Sequence, residues 1–268
     1  MTTLESGACA NCDRAIDGAG QKFCPACGQA TPAHRIDWHF LGHELEHSVL
    51  HMDRGIFYSL KELMLRPGHF MRDYLEGRRA NQVKPLLLLM LMAALVVFLT
   101  KYLLGADALG AGAMDGYSEA MKANANPQFD PSSMISTLAK VYAWMNAHFT
   151  ATTLLLLPFE ALAFRLGFHR VGKLNYPEWL VITALFTVQT FVFWTVLILL
   201  QRWIIQPHLW IMVLSVAYII LSLIQYFGEY PRWKTVLRAL LGFAIFMVFN
   251  YLLTFAAVGA LILVSESG

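Results

Sequence analysis

The chain has 268 residues, of which 57% are hydrophobic and 14% are charged, and its formal net charge is +2. This composition is too apolar and too poor in charge for an ordinary soluble domain, so we expect most of the chain to lie in lipid. The sequence contains neither a glycine-rich phosphate loop nor the basic, aromatic-bearing pattern of a nucleic-acid groove, so nucleic acid is not expected as a partner.

All cysteines of the chain lie near its start, as the two pairs Cys9/Cys12 and Cys24/Cys27. Two thiolates separated by two residues can bind one tetrahedral zinc ion from a tight turn. The 11-residue spacer between the pairs is long enough for a small hairpin to bring them together. Gly28, directly after the last cysteine, tolerates the positive φ that such a turn needs. We therefore predict a structural zinc site with these four cysteines as ligands.

The second pair, Cys24-Pro-Ala-Cys27, also resembles a redox active site. The sequence around it lacks the βαβ pattern of such oxidoreductases, and the presence of another pair favours zinc. Thiols confined to a zinc site suit a reducing compartment, so this zinc ribbon is predicted to be cytosolic, where it could dock a protein partner.

The segment after the ribbon contains a ridge of histidines. From Asp37, a candidate N-cap, to Met52, apolar residues recur at three- and four-residue steps, which predicts an amphipathic helix. Its opposite face carries histidines at strict four-residue intervals, namely His39, His43, His47 and His51. The stretch from His43 to His47 matches the H-E-x-x-H pattern, in which two histidines bind zinc and the glutamate, here Glu44, activates a water.

Three interpretations of this ridge remain open. The first is an interfacial helix whose apolar stripe packs on the membrane bundle while its His/Glu face meets water or headgroups. The second is a further zinc or iron site formed by His43 and His47, completed by His39, His51 or Asp53, with Glu44 as the catalytic base. The third is a row of imidazoles that senses protons.

Two short helices should follow, the first from Ile56 to Leu65 and the second from His69 to Glu76, ending at Gly77. Cations lie close to where the chain enters the bilayer, and we expect them to contact anionic lipid or a phosphate group. These residues are Arg66, Arg78 and Arg79.

Five apolar stretches are long enough to cross a bilayer. They cover residues 85–104, 149–166, 179–200, 209–227 and 239–264. The predicted fold is therefore mainly α, a five-helix membrane bundle (85–268) preceded by a small zinc ribbon (1–33) and interfacial amphipathic helices (34–84). No internal repeat is evident in the sequence.

Lysine and arginine are concentrated before the first span and in the connections from the second to the third and from the fourth to the fifth. By the positive-inside rule, these segments and the N-terminus are cytoplasmic, and the C-terminus lies outside. Within the spans Glu160 is the main ionisable residue, and we expect it to bond between helices or reach the interface.

The motifs of the juxtamembrane segment resemble those of a family of bacterial membrane proteins catalogued only as a domain of unknown function. The residues that carry the resemblance are His34-Arg35-Ile36, His43-Glu44, His47, His51, Asp53, Lys61-Glu62-Leu63, Arg66-Pro67-Gly68, Tyr74, Gly77 and Arg79. The stretch Asn175-Tyr176-Pro177-Glu178-Trp179 also looks like a feature of this family, although relatives often have histidine near position 179. The resemblance implies a zinc ribbon and four or five spans in a bacterial inner membrane, without implying an activity.

Three functional hypotheses follow, none of which specifies an oligomeric state. The first is a non-enzymatic inner-membrane protein that contacts lipids and docks a cytosolic partner through the ribbon. The second is a metal-dependent enzyme that uses His43, Glu44 and His47 on an amphiphilic or lipid-linked substrate. The third is a channel or transporter for small solutes.

Overall fold

The computed structural model describes residues 3–4, 7–16, 21–31, 33–47, 55–103, 132–204 and 206–267. Within these ranges the side chains of 3–4, 43–47, 103, 132–134 and 264–267 lie outside the description. The sequence also favours a hairpin turn at Asp17-Gly18 and an irregular first half of the loop between the first two spans, and both fall outside the described residues.

The described part of the chain is mainly α-helical, as predicted. Two short strands, β1 (Thr3–Leu4) and β2 (Ala33–His34), pair antiparallel, with Thr3 opposite His34. The helices are α1 (Trp38–His47), α2 (Ile56–Leu65), α3 (Pro67–Leu75), α4 (Pro85–Phe98), α5 (Ser132–Ala147), α6 (Phe149–Gly167), α7 (Tyr176–Leu199), α8 (Pro207–Tyr226) and α9 (Arg232–Ser267). A π-helical turn, Leu99–Leu103, extends α4.

Five helices are long and apolar enough to cross a membrane, namely α4 with its extension, α6, α7, α8 and α9. They coincide with the five predicted stretches. The largest difference is in α9, which begins at Arg232 rather than near residue 239 and runs unbroken through Gly242 and Gly259. Hydropathy identifies only the apolar part of a helix. The helix itself starts directly after Pro231, and its polar first turn lies before the apolar stretch.

The third span, α7, is the centre of the bundle. It packs against α4, α6 and α8, and most of its side chains are buried. In contrast, α9 packs along α6 at the edge, and few of its residues are buried. Such a surface is expected where lipid surrounds the bundle.

Hydrogen bonds between polar side chains connect the spans. The amide of Gln189 in α7 donates to Ser222 Oγ in α8 at 3.2 Å, and both residues are buried. Thr187 Oγ1 in α7 lies 3.4 Å from Glu160 Oε2 in α6, which agrees with the predicted bonding between helices. The hydrophobic effect does not drive helices together in lipid, so polar pairs of this kind fix the register between them.

The juxtamembrane helices pack on the end of the bundle where α4, α7 and α9 begin and α6 and α8 end. Helix α3 packs against α8, and α2 packs against α3 and α7. Helix α1 begins at the predicted cap, since Asp37 Oδ1 accepts a hydrogen bond from Phe40 N at 2.8 Å. Leu41 of its predicted apolar stripe is buried, whereas Trp38 packs beside Tyr176 and remains largely exposed.

Candidate metal centre and its attachment to the bundle

The four cysteines of the chain converge on one point. Their sulfur atoms all lie within 4.8 Å of one another, and they form no disulfide. Two pairs join one cysteine of each motif, Cys9 with Cys27 and Cys12 with Cys24, both at 3.6 Å between sulfurs. A tetrahedron with Zn–S bonds of about 2.3 Å has edges of about 3.8 Å, so the spacing fits one zinc ion held by four thiolates.

The two Cys-x-x-Cys turns are copies of one backbone structure, offset by 15 residues. In each turn the first cysteine donates its N–H to the carbonyl five residues later at 2.8 Å, and its own carbonyl accepts from the N–H four residues later at 2.9 Å. The pairs are Cys9 with Arg14 and Asp13, and Cys24 with Gln29 and Gly28. Asp13 and Gly28 occupy equivalent left-handed positions, with φ of 57° and 73°. The sequence did not reveal this internal repeat, because the two turns share little besides their cysteines.

Backbone N–H groups favour the ionised form of at least one ligand. Hydrogen bonds from the N–H groups of Ala26 and Cys27 lower the pKa of the Cys24 thiol to about 6. A cysteine that is already a thiolate near neutral pH is a better metal ligand, because the metal need not displace a proton.

Arg79 joins the cysteine module (residues 7–31) to the bundle. Its backbone N–H donates to Gln29 Oε1 of the module at 3.0 Å, and Nη2 donates to the carbonyl of His34 in β2 at 3.2 Å. Nε donates to the carbonyl of Tyr74 in α3 at 2.8 Å. The guanidinium lies 4.4 Å from the ring centre of Phe40 and 5.1 Å from that of Tyr74. One side chain therefore contacts β2, α1 and α3.

The structure explains the spacing of the Tyr-x-x-Gly-x-Arg motif, which consists of Tyr74, Gly77 and Arg79. Helix α3 ends with the buried side chains of Tyr74 and Leu75, and Gly77 then adopts a φ of 92°, which favours glycine. This turn brings the chain back so that Arg79 lies against the Tyr74 ring. In the structure, the three motif residues form one turn that holds the module.

A second connection is the ion pair between Arg35 and Glu178. Nε of Arg35 donates to Glu178 Oε1 at 2.6 Å and Nη2 donates to Oε2 at 2.9 Å. The Glu178 side chain is 5% exposed and that of Arg35 is 42% exposed. Hydrogen bonds to the carboxylate raise the pKa of Arg35. The sequence drew attention to Glu178 only as part of the stretch 175–179. It did not indicate the ion pair, because the partner is 143 residues away.

Glu178 also completes the N-terminal cap of α7. Its carboxylate accepts from Asn175 N at 2.7 Å, and its N–H donates to Asn175 Oδ1 at 2.8 Å, which is a capping box. The Asn175 amide donates to the carbonyl of Ile36 at 2.9 Å. The adjacent Trp179 is buried against Phe168 and Phe227. Position 179 in this chain is therefore part of the aromatic core.

The Arg-Pro-Gly motif forms a close backbone contact between α3 and the spans. Pro67 starts α3, and Gly68 N donates to Gln225 Oε1 of α8 at 3.1 Å. A Cβ on Gly68 would lie 2.6 Å from the carbonyl carbon of Gln225 and nearer still to its Cβ. Only glycine fits at this crossing. Arg66 binds Glu62 one turn earlier, with Nε to Oε2 at 3.0 Å, and this bond raises the pKa of Arg66.

The other predicted site residues are placed as follows. His39 is exposed at the start of α1, and the backbone at His43, Glu44 and His47 is helical, although their side chains lie outside the description. His51 and Asp53 lie outside the described residues altogether. In the part of the chain that the structure describes, the four cysteines are the only cluster of three or more side chains that could hold a metal.

Together, the fold and the cysteine cluster define a mainly α-helical protein with five candidate membrane helices and an N-terminal four-cysteine module. Residues 53–97 match a family described as a protein of unknown function, DUF3667. The match covers α2, α3 and most of α4, including the Arg-Pro-Gly and Tyr-x-x-Gly-x-Arg motifs. No curated protein and no solved structure matches the chain.

Proposed function

We propose that this protein is a non-enzymatic, multi-pass protein of the bacterial inner membrane, in which a structural zinc module is held at the cytosolic end of the bundle and docks a protein partner. The observation that carries the proposal is the convergence of four cysteine sulfurs within 4.8 Å. Four thiolates fill the coordination sphere of zinc and leave no open position for a substrate, so such a site supports structure rather than chemistry.

The charge distribution supports a cytosolic position for the module. The module lies at the same end of the bundle as the arginines of the connections, because Arg35 and Arg79 attach it there. At this end Arg238 Nη1 also donates to the carbonyls of Gly167 and His169, at 3.1 and 3.2 Å. Loops rich in lysine and arginine remain in the cytosol during insertion.

The exposed surface of the module offers a place for a partner. Phe23, directly before Cys24, is 63% exposed although its backbone is fixed by a bridge to Ala30. A large apolar side chain held rigidly on a small polar module is typical of an anchor residue at a protein interface. If Phe23 contacts a partner, a photo-crosslinking amino acid in its place will give a protein adduct in intact cells. The same probe in place of exposed Arg14 is the control.

A metal-dependent enzyme is the second candidate. The observation that favours it is the helical backbone through His43 and His47, because the H-E-x-x-H pattern requires its two histidines one turn apart on a helix. The site would use His43, His47 and Glu44. His39, His51 or Asp53 would complete the coordination of one or two metal ions.

Metal analysis of the purified, untagged, full-length protein separates the two candidates. The structural proposal predicts one zinc per chain, lost in Cys24→Ser and kept in the double variant His43→Ala, His47→Ala. A second zinc or an iron that disappears in the histidine variant would contradict the non-enzymatic proposal and favour the enzyme.

A further inference from the structure

Helix α2 is apolar on two opposite faces. Its inner face is buried or packed on the core and consists of Ile56, Ser59, Leu60 and Leu63. On the outer face Phe57 is 86% exposed, Leu65 is 64% exposed and Tyr58 is 46% exposed. Residues four apart lie on one side of a helix, so Phe57, Lys61 and Leu65 form a single outer stripe. Large apolar side chains on both the inner and the outer face of a helix are expected where both faces have apolar surroundings.

The adjacent helix α3 shows that this exposure is specific to α2. The two helices are separated only by Arg66, and they pack on the same end of the bundle. All large apolar side chains of α3 are buried, namely Phe70, Met71, Tyr74 and Leu75. The exposed residues on and next to α3, namely Arg66, His69 and Glu76, are polar. The difference indicates that the outer face of α3 meets water, whereas that of α2 meets an apolar phase.

Contacts with the spans place α2 at the level where the bundle enters the bilayer. Near its start, Ser59 Oγ accepts a hydrogen bond from Val83 N at 2.8 Å, two residues before α4. Near its end, the carbonyl of Met64 accepts a hydrogen bond from the hydroxyl of Tyr218. Tyr218 lies two turns inside α8, about 12 Å from the end of that helix at 1.5 Å per residue. The end of α2 thus lies beside α8 at a depth of about two helical turns.

From this placement, we propose that the outer face of α2 binds lipid by inserting into the cytosolic leaflet at the boundary between headgroups and acyl chains. Phe57 and Leu65 contact the upper acyl chains, and exposed Lys61 between them lies beside the phosphates of anionic lipids. Aromatic and long cationic side chains favour this depth, because each has an apolar body and a polar end. The proposal relies on the cytosolic orientation given above.

Labelling by photoactivatable lipid tests the proposal on the wild-type protein. The protein is reconstituted in vesicles of phosphatidylcholine and phosphatidylglycerol that include a phosphatidylcholine with a carbene precursor near the top of one acyl chain. Peptide mass spectrometry should find lipid adducts at Phe57 or Leu65. Leu221, 52% exposed on α8, is the positive control, and Phe23 on the module is the negative control. Labelling of Leu221 without labelling of α2 would overturn the proposal.

The role of Lys61 has a separate test with the same vesicles. A phosphatidylglycerol carrying a photoactivatable headgroup should label α2, and Lys61→Gln should reduce this labelling about twofold or more while leaving the acyl-chain labelling unchanged. Headgroup labelling that is unchanged in Lys61→Gln would overturn the assignment. Zinc content is measured on the same samples, so that failure of the lipid surface is distinguished from failure of the metal site.

Discussion

The guanidinium of Arg35 and the carboxylate of Glu178 form a two-pronged ion pair, with N–O distances of 2.6 and 2.9 Å, between the segment after the module and the first turn of α7. Ion pairs with a buried member contribute little net stability, but removing one partner leaves the other charge without compensation. The pair therefore fixes the position of the module more than it stabilises the fold.

Arg35→Gln should destabilise this junction, because it leaves the nearly buried Glu178 carboxylate without its cation. We expect the free energy of unfolding to fall by about 1–3 kcal/mol. This is less than for a fully buried pair, because Arg35 is partly exposed. Hydrogen exchange at residues 33–37 and thermal unfolding in detergent measure the effect. Arg78→Gln is the control, since its ion pairs with Asp73 and Glu76 are longer, at 3.5 and 3.6 Å, and exposed. Equal effects of the two variants would contradict this role for Arg35.

Gly68→Ala should destabilise the contact between α3 and α8, because the new Cβ overlaps Gln225. Overpacking at such a crossing costs about 1–3 kcal/mol, measured as a lower unfolding temperature. Gly42→Ala is the matched control, since a Cβ at Gly42 in α1 meets no atom of the described residues within 4 Å. Alanine there should be neutral or stabilising, because it favours the helix. A Gly68→Ala variant as stable as Gly42→Ala would show that the helices do not cross this closely.

Two serines of α8 provide a matched test of bonding within the bundle. Ser222→Ala removes the partner of the buried Gln189 amide and should cost about 0.6–2 kcal/mol. Ser215 is also buried, but its hydroxyl has no hydrogen-bond partner among the described residues. Ser215→Ala should therefore be neutral or slightly stabilising. Thermal unfolding of both variants in the same detergent gives the comparison, and a reversed order would contradict the assigned bonds.

Arg79→Lys should loosen the module although it keeps the positive charge. Lysine has a single ammonium and cannot reproduce the bonds of Nε to Tyr74 and Nη2 to His34, or the planar contact with Phe40. We expect faster limited proteolysis of the segment before α1, by about thirtyfold if two hydrogen bonds of ~1 kcal/mol are lost. Arg66→Lys, at an exposed arginine paired with Glu62, is the control. If Arg79 acted mainly by attracting anionic lipid, the lysine variant would behave like wild type.

The features predicted from the sequence are those encoded by neighbouring residues. The spacing of Cys9, Cys12, Cys24 and Cys27 indicated one four-cysteine cluster, and the structure brings their sulfurs together. Runs of apolar residues indicated the five membrane-length helices. Asp37 was identified as a cap because the cap bonds a backbone group three residues away.

The connections between module and bundle were not predicted, because they join residues far apart in the chain. Arg79 looked like a ligand for lipid or phosphate from its position before the first span. In the structure its guanidinium lies against Phe40 and Tyr74. Glu178 was named only as part of the stretch 175–179, and only the packing of residues 33–37 on α7 gives it a cationic partner.

X-ray absorption at the zinc edge, on untagged full-length protein in its membrane detergent, tests the central claim most directly. A structural site formed by the four cysteines predicts a coordination shell of four sulfurs at about 2.3 Å, with no nitrogen or oxygen contribution. A shell containing histidine nitrogen, or zinc that remains bound in Cys24→Ser, would contradict it.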